Sequence, residues 1–166
     1  IKKILCVSDE IKRIVRKSIK NPEKAETVYS GVNLERFQNI RHQSYLKNKF
    51  ELPNNSFLIG NTSAIADHKD YFTFVDTAKK VVSEDSEIYF FIIGDGPLKA
   101  DIKAYVTESG LDNRLFFTGF IDNIPEILSE LDIFLMTSKT EGLGTSILDA
   151  FASHLTVVST DGGGLK

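Results

Sequence analysis

The sequence predicts an α/β fold of the Rossmann-like type, a three-layer α/β/α arrangement around a mostly parallel sheet. Short apolar runs alternate with amphipathic stretches along the chain, and strand–helix–strand repetition of this kind builds a doubly wound sheet. Within each run the apolar residues are consecutive, as expected for strands that are covered on both faces. The runs predict strands at residues 4–7, 57–60, 88–93, 115–117, 133–136 and 156–158.

Three helices are predicted between these strands. Apolar residues at helical spacing predict one helix over residues 71–82 and another over residues 145–152. A third helix follows Pro97, a residue that suits the first helical position. Sheets of this class bind their ligands in the crevice beyond the carboxyl ends of the strands. The loops expected there are rich in Gly, Asp, Ser and Thr: residues 62–70, 94–97, 119–122, 138–144 and 161–164.

Composition and charge narrow the function classes. The chain has 166 residues, about the size of one domain, with 42% apolar and 26% charged residues, as in soluble globular proteins. Its net charge of −3 argues against a nucleic-acid-binding surface, which is usually basic. The first 24 residues hold eight Lys or Arg and three acids, a net +5, so the remainder carries −8. This asymmetry predicts that the two segments belong to different structural units.

The predicted location is the cytoplasm. Cys6 is the single cysteine, which favours a reducing compartment, and no secretory signal or membrane-spanning stretch is recognisable. A basic stripe near helical spacing is either a solvated face or a contact with an anionic membrane at its inner surface. The stripe consists of Lys12, Arg13, Arg16, Lys17 and Lys20.

Several common site types are absent from the sequence. Neither a G-x-G-x-x-G fingerprint after the first strand nor a Walker sequence is present. The histidines His42, His68 and His154 are far apart in sequence, which disfavours a zinc site. No Asp-x-Asp pair is found for a metal-chelated diphosphate. We therefore expect neither a metal nor a cofactor.

The segment from Glu141 to Asp149 permits two interpretations. Two glycines, Gly142 and Gly144, precede a helix predicted to start at Thr145, so free backbone N–H groups would form a phosphate site. The two flanking carboxylates would then accept hydrogen bonds from sugar and ribose hydroxyls. The alternative is a glycine turn with a Thr or Ser N-cap and an acid placed for the helix dipole.

Lys69 and the turn at residues 93–98 carry weaker signals. A lysine just before a helix is unfavourable, because the N-terminal end of the helix dipole is also positive, unless the lysine and the helix end share a bound diphosphate. Otherwise Lys69 is a solvated lysine offset by Asp67 and Asp70. The turn at residues 93–98 is either a tight strand-to-helix connection or one wall of a nucleobase pocket.

Taken in order, these segments resemble the family 4 glycosyltransferases, a group of nucleotide-sugar-dependent retaining enzymes with two Rossmann-like domains, the GT-B fold. The resemblance covers essentially the whole chain. The matching segments are residues 28–33, a hinge segment followed by Phe37; residues 62–70, a strand–loop–lysine segment; residues 93–98, a Gly-Asp-Gly-Pro turn; residues 117–120; residues 141–149, a carboxylate pair with seven residues between; and residues 161–164.

The resemblance implies roles for individual residues. Lys69 would bind the donor diphosphate and Glu141 the transferred sugar, and these two are the expected catalytic residues. Asp149 would bind the ribose. The expected donor-binding residues are Gly94, Asp95, Gly96, Pro97, Leu98, Gly119, Phe120, Ile121, Gly142, Leu143, Gly144, Thr145 and Asp149.

Three positions depart from the family pattern. Ala64 stands where an arginine usually partners the lysine, so half of the cationic clamp is missing. The second carboxylate of the pair is Asp149 instead of Glu, one methylene shorter. Asn33 replaces the usual hinge Asp.

The resemblance also predicts a domain division. Residues 1–30 would be the last strand and helix of an N-terminal acceptor domain with the hinge, and residues 31–166 a nucleotide-sugar-binding domain cut short at its C-terminus. The expected parent enzyme transfers a hexose from a nucleoside diphosphate sugar to a glycan or lipid-linked glycan, with retention. The fragment alone is expected to be inactive. The alternatives are a nucleotide-binding fragment without activity and a nucleotide-sugar epimerase on the same fold.

Overall fold

The computed structural model describes residues 1–40 and 43–165. His42, one of the histidines weighed above, lies outside these residues. The strands are β1 (Ile4–Cys6), β2 (Ala25–Thr27), β3 (Phe57–Thr62), β4 (Ile88–Ile93), β5 (Leu115–Gly119), β6 (Ile133–Met136) and β7 (Thr156–Ser159). The α-helices are α1 (Asp9–Ser18), α2 (Tyr45–Lys49), α3 (Tyr71–Glu84), α4 (Lys99–Glu108), α5 (Ile124–Leu128) and α6 (Thr145–Ala152).

Five of the strands form one parallel sheet in the order β5-β4-β3-β6-β7. The chain moves outward from β3 through β4 to β5, then returns to the other side of β3 to form β6. Strand order therefore reverses between β3 and β6, and the crevice for a ligand lies beyond their carboxyl ends. The predicted α/β class and parallel sheet are confirmed.

The core consists of two apolar layers, one on each face of the sheet. Phe90 and Ile92 of β4 pack on one face with the buried side of α3. Their neighbours Phe91 and Ile93 point to the opposite face and pack with α5 and β6. All four side chains are almost fully buried. Because both faces of β4 are covered, every position in it is apolar, and the strand was recognisable as a continuous run.

The first 27 residues form a separate unit. Strands β1 and β2 pair with each other in parallel and are not part of the five-stranded sheet. Helix α1 begins at Ser8, whose hydroxyl accepts a hydrogen bond from the Ile11 N–H at 3.3 Å, an N-cap of the usual kind. The unit contacts the rest of the chain near Gly142 and Gly164. The domain division at residue 30 stays a prediction.

Some boundaries and elements differ from the prediction. Strands β3 and β5 run two residues longer than predicted, and the first strand ends at Cys6, one residue early. Pro97 lies in a turn two residues before α4, so it is not the first helical residue. Strand β2 and helices α2 and α5 were not predicted; they are three, five and five residues long.

Candidate functional site

A cavity of about 440 Å³ opens at the carboxyl edge of the sheet. It lies between the ends of β3 and β4, the loop after β5, and the first turns of α6, which is the crevice expected from the strand order. Six of the predicted donor-binding residues line it: Gly94, Asp95, Phe120, Ile121, Thr145 and Asp149. Ala64, which replaces the usual family arginine, also lines it.

The two predicted catalytic residues are in contact with each other. The Lys69 Nζ lies 2.6 Å from the Glu141 Oε1, and the two side chains are only 13% and 9% exposed. Lys69 ends a short 3-10 helix after β3, and Glu141 lies in the loop between β6 and α6. The hydroxyl of Thr137 donates to the carbonyl oxygen of Asp70 at 3.0 Å and so ties the two loops together. The pair therefore neutralises two nearly buried charges in the ligand-free chain.

The start of α6 has no side-chain cap among the residues that the structure describes. Its N-cap is Gly144, which has no side chain to accept a hydrogen bond. The Thr or Ser N-cap considered in the alternative interpretation of this segment is therefore wrong. Thr145 and Ser146, the first two helical residues, line the cavity. Their N–H groups lie at the positive end of the helix dipole, where an anion is favoured.

Asp149 faces the same cavity from the second turn of α6. Burial raises the pKa of this carboxyl above its ordinary value, while the positive charge of Arg36 opposes the shift. Arg36 belongs to a short 3-10 helix at Leu34–Phe37, within the segment that follows the predicted hinge. A partly desolvated carboxylate that faces a cavity is suited to accept hydrogen bonds from ligand hydroxyls.

The three-glycine run at residues 162–164 is packed against the loop of Glu141. Gly163 has φ +66°, and a Cβ on it would overlap the backbone of Glu141. The Gly164 N–H donates to the Glu141 carbonyl oxygen at 2.8 Å. Only glycine permits this close approach together with the left-handed backbone. The run therefore fixes the main chain of the loop from Glu141 to Gly144.

The turn after β4 closes the other side of the cavity. A side chain at Gly94, where φ is +151°, would overlap the carbonyl group of Ser63. The Asp95 carbonyl oxygen accepts from the Ile65 N–H at 3.0 Å, and the Leu98 N–H donates back to the Ile65 carbonyl oxygen at 3.1 Å. The turn is thus locked to the loop after β3.

Asp95 also lines the cavity and carries a charge partner. Its carboxylate accepts from the Lys99 Nζ at 2.6 Å and from the Gly96 N–H at 2.8 Å. The hydrogen bond from Lys99, then that from Gly96, lowers the pKa of Asp95 below its usual value. Asp95 is therefore ionised at neutral pH.

Some predicted residues do not reach the cavity. Lys69, Glu141 and seven of the predicted donor-binding residues are not among its lining residues: Gly96, Pro97, Leu98, Gly119, Gly142, Leu143 and Gly144. Gly96 and Leu98 lie against the backbone of Ile65 in the loop after β3, and Gly119 forms an isolated bridge with Gly94. Leu143 lines a different cavity, of about 330 Å³, between this loop and the N-terminal unit.

A buried polar network under the cavity was not predicted from the sequence. The Asn61 Oδ1 accepts from the Ser63 hydroxyl at 2.8 Å and from the Tyr71 hydroxyl at 3.0 Å, and the Asn61 Nδ2 donates to the Leu135 carbonyl oxygen at 2.6 Å. Burial raises the pKa of Tyr71 above its usual range. The network fixes Ser63, which lines the cavity. An asparagine inside an apolar strand was the signal that would have revealed it.

Two further expectations concern metals and membranes. Within residues 1–40 and 43–165, no three His, Cys, Asp or Glu side chains are placed as ligands of one metal ion. No helix of that part of the chain has the length and apolar character needed to cross a membrane. Metal independence and contact with a membrane surface stay predictions.

The fold and the crevice together define a doubly wound α/β domain of the Rossmann-like class. Within this class, the sequence matches the family of glycosyl transferases group 1 over residues 43–166. The chain therefore belongs to this family, which confirms the resemblance found in the sequence.

Two curated relatives are similar over most of the chain. The 2-deoxystreptamine glucosyltransferase of Streptomyces kanamyceticus is 37% identical over 123 residues, 72% of this chain and 32% of that protein. The UDP-Gal:alpha-D-GlcNAc-diphosphoundecaprenol alpha-1,3-galactosyltransferase of Escherichia coli is 32% identical over 158 residues, 92% of this chain and 41% of that protein. The chain thus spans about a third to two-fifths of the length of these relatives.

A solved structure confirms the fold. Anabaena Alr3699/HepE, crystallised with UDP and glucose, superposes with a TM-score of 0.87 at 20% identity. The superposition covers 98% of this chain and 45% of that one. Because it extends over nearly the whole chain, the arrangement of the N-terminal unit and the five-stranded sheet recurs in that protein.

Proposed function

We propose that this chain is the donor-binding part of a retaining glycosyltransferase that uses a nucleoside diphosphate hexose. The observation that carries the proposal is the arrangement at the carboxyl edge of the sheet. The start of α6 and Asp149 line one crevice, and the loops after β3 and before α6 carry the paired Lys69 and Glu141. A lysine and a helix start suit a diphosphate, and a carboxylate suits ribose hydroxyls. The Escherichia coli relative, whose name includes UDP-Gal, supports a nucleotide sugar as the donor.

The proposed reaction exchanges one bond at the anomeric carbon of the sugar. The bond from this carbon to the diphosphate oxygen breaks, and a bond to an acceptor oxygen forms on the same face. The acceptor proton passes to the leaving phosphate, so the protein need not supply a base. Lys69 and the amides of α6 stabilise the departing diphosphate, and Glu141 orients the sugar.

The acceptor in this proposal is a glycan or a lipid-linked glycan. The Escherichia coli relative, which is named for a diphosphoundecaprenol-linked substrate, supports the second type. In this proposal the acceptor is bound outside residues 31–166. On this proposal the 166-residue chain binds the donor without transferring its sugar, and the parent enzyme needs no metal.

The proposal is tested by turnover of the complete parent enzyme. Lys69→Ala and Glu141→Ala should each lower kcat by at least about a hundredfold, since each removes a group that acts on the charge or position of the reacting sugar. Lys139→Ala, at an exposed lysine two residues before Glu141, is the matched control and should retain normal turnover. Near-normal turnover in either test variant would contradict the assignment.

A further inference from the structure

Glu141 has a second partner besides Lys69. The Ser138 hydroxyl donates to the Glu141 Oε1 at 2.6 Å, the same oxygen and the same distance as the Lys69 Nζ. Within the described residues no protein group donates to the Glu141 Oε2. One carboxylate oxygen is therefore held by two donors, and the other is left for a ligand hydroxyl.

Ser138 is itself rigidly held. It is only 1% exposed and lies two residues after the end of β6. Its carbonyl oxygen accepts from the Thr160 hydroxyl at 2.6 Å. On the next residue, the Lys139 N–H donates to the His68 carbonyl oxygen at 2.9 Å. The Ser138 hydroxyl is thus a fixed donor, whereas Lys69 has a long and rotatable side chain.

We propose that Ser138 is a positioning residue that keeps Glu141 oriented and hydrogen-bonded when Lys69 turns to the donor diphosphate. The proposal rests on the proposed function, in which Lys69 binds that diphosphate. Without the Ser138 hydroxyl, Lys69 would be the one donor to Glu141 among the described residues, and a nearly buried carboxylate that loses its last donor is strongly disfavoured. Because Ser138 remains in place, Lys69 leaves Glu141 at a lower cost than it would without that donor, and the Glu141 Oε2 remains available to a sugar hydroxyl.

This role makes a prediction that a simple packing role does not. If Ser138 matters because Lys69 leaves Glu141, its loss should weaken nucleotide binding only in chains that contain Lys69. In a Lys69→Ala chain, Glu141 has the same hydrogen-bond partners before and after the nucleotide binds. Nucleotide binding therefore does not have to break a hydrogen bond to Glu141. A serine that merely stabilises the loop would give the same loss in both backgrounds.

The test is a calorimetric titration of the 166-residue chain with UDP, GDP and ADP. For the nucleotide that binds most tightly, Ser138→Ala should raise the Kd by at least about fivefold when Lys69 is present, and by less than about twofold in the Lys69→Ala background. Thr160→Val is the matched control, since it removes a hydrogen bond to the same residue without touching the hydroxyl. It should leave the Kd unchanged.

Three outcomes would overturn the proposal. An equal effect of Ser138→Ala in both backgrounds, or an equal effect of Thr160→Val, would assign Ser138 a structural role only. An unchanged Kd in Ser138→Ala would remove the role while leaving the proposed function intact. If the parent chain binds none of the three nucleotides, the proposed function fails and this inference with it.

A second variant covers the case in which Ser138→Ala does not fold. Ser138→Cys keeps nearly the same size but is a weak donor. It should also raise the Kd in the presence of Lys69, with a thermal unfolding midpoint close to that of the parent chain. A folded Ser138→Cys chain with an unchanged Kd would overturn the proposal.

Discussion

Replacing Lys69 by methionine removes the charge that faces Glu141 and keeps a side chain of similar length. Among the residues that the structure describes, Ser138 is then the one hydrogen-bond donor left to the Glu141 carboxylate, whose side chain is 9% exposed. Loss of one partner of a fully buried pair costs about 3–5 kcal/mol. Because Ser138 remains, we expect the ligand-free chain to lose about 2–4 kcal/mol of unfolding free energy. For a chain of this size, that lowers the Tm by roughly 5–15 °C.

Urea unfolding at neutral pH measures this loss directly. The matched control is Lys139→Met, because Lys139 pairs with Asp67 at 3.3 Å with both side chains more than half exposed, and it should show no measurable change. A further Glu141→Gln substitution in the Lys69→Met chain should recover at least half of the loss, since it removes the unpaired charge. An unfolding free energy within about 0.5 kcal/mol of the parent chain would refute the reasoning.

Two further predictions concern the cavity. Burial raises the pKa of Asp149, so the folded state loses stability as pH rises above the ordinary carboxyl pKa of about 3.9. Asp149→Asn should therefore stabilise the chain against urea at pH 7 but not at pH 3.5, and it should weaken nucleotide binding. A variant that is less stable than the parent chain at pH 7 would contradict this prediction. Phe120 lines the cavity and is 76% exposed. Phe120→Ala should raise the Kd of a nucleoside diphosphate by roughly twofold to tenfold, because stacking on the base is lost, and should leave the Tm unchanged. An unchanged Kd in calorimetry would contradict this prediction.

The five-stranded sheet was predictable because every strand in it is covered on both faces or contains a run of apolar residues. Strand β4, with six consecutive apolar residues, is the clearest case. Strand β2 reads Ala-Glu-Thr and has a single apolar residue, so no pattern marks it. Helices α2 and α5 have five residues each, too few for a helical period to show.

The site was predictable in its composition but not in its contacts. The glycines around Glu141 and the lysine before α3 allowed a phosphate site beside a capped-helix and a solvated-lysine alternative, and the family resemblance supplied the expected roles. The direct pairing of Lys69 with Glu141 was not predicted, because 72 residues separate them and both were expected to face the ligand. Only the adjacency of β3 and β6 brings their two loops together.

The N-cap of α6 shows why a local pattern can mislead. Thr145 and Ser146 are good capping residues in general, and a polar cap was the simplest alternative for this segment. In the structure Gly144 takes the cap position, and Thr145 and Ser146 are inside the helix, facing the cavity. Gly144 has φ +70° and lies against Leu165, so a Cβ at this position would overlap the leucine side chain, a contact that local sequence does not reveal.

The most direct test of the central claim is an NMR titration of the ¹⁵N-labelled chain with UDP, GDP and ADP. The claim is that a nucleoside diphosphate occupies the crevice between β3, β4 and α6. We predict that at least one nucleotide shifts the amide signals of Gly94, Thr145 and Ser146 in a saturable way, and that Lys69→Ala weakens the response. Saturable shifts confined to other parts of the chain, or no shifts with any of the three nucleotides, would contradict the account.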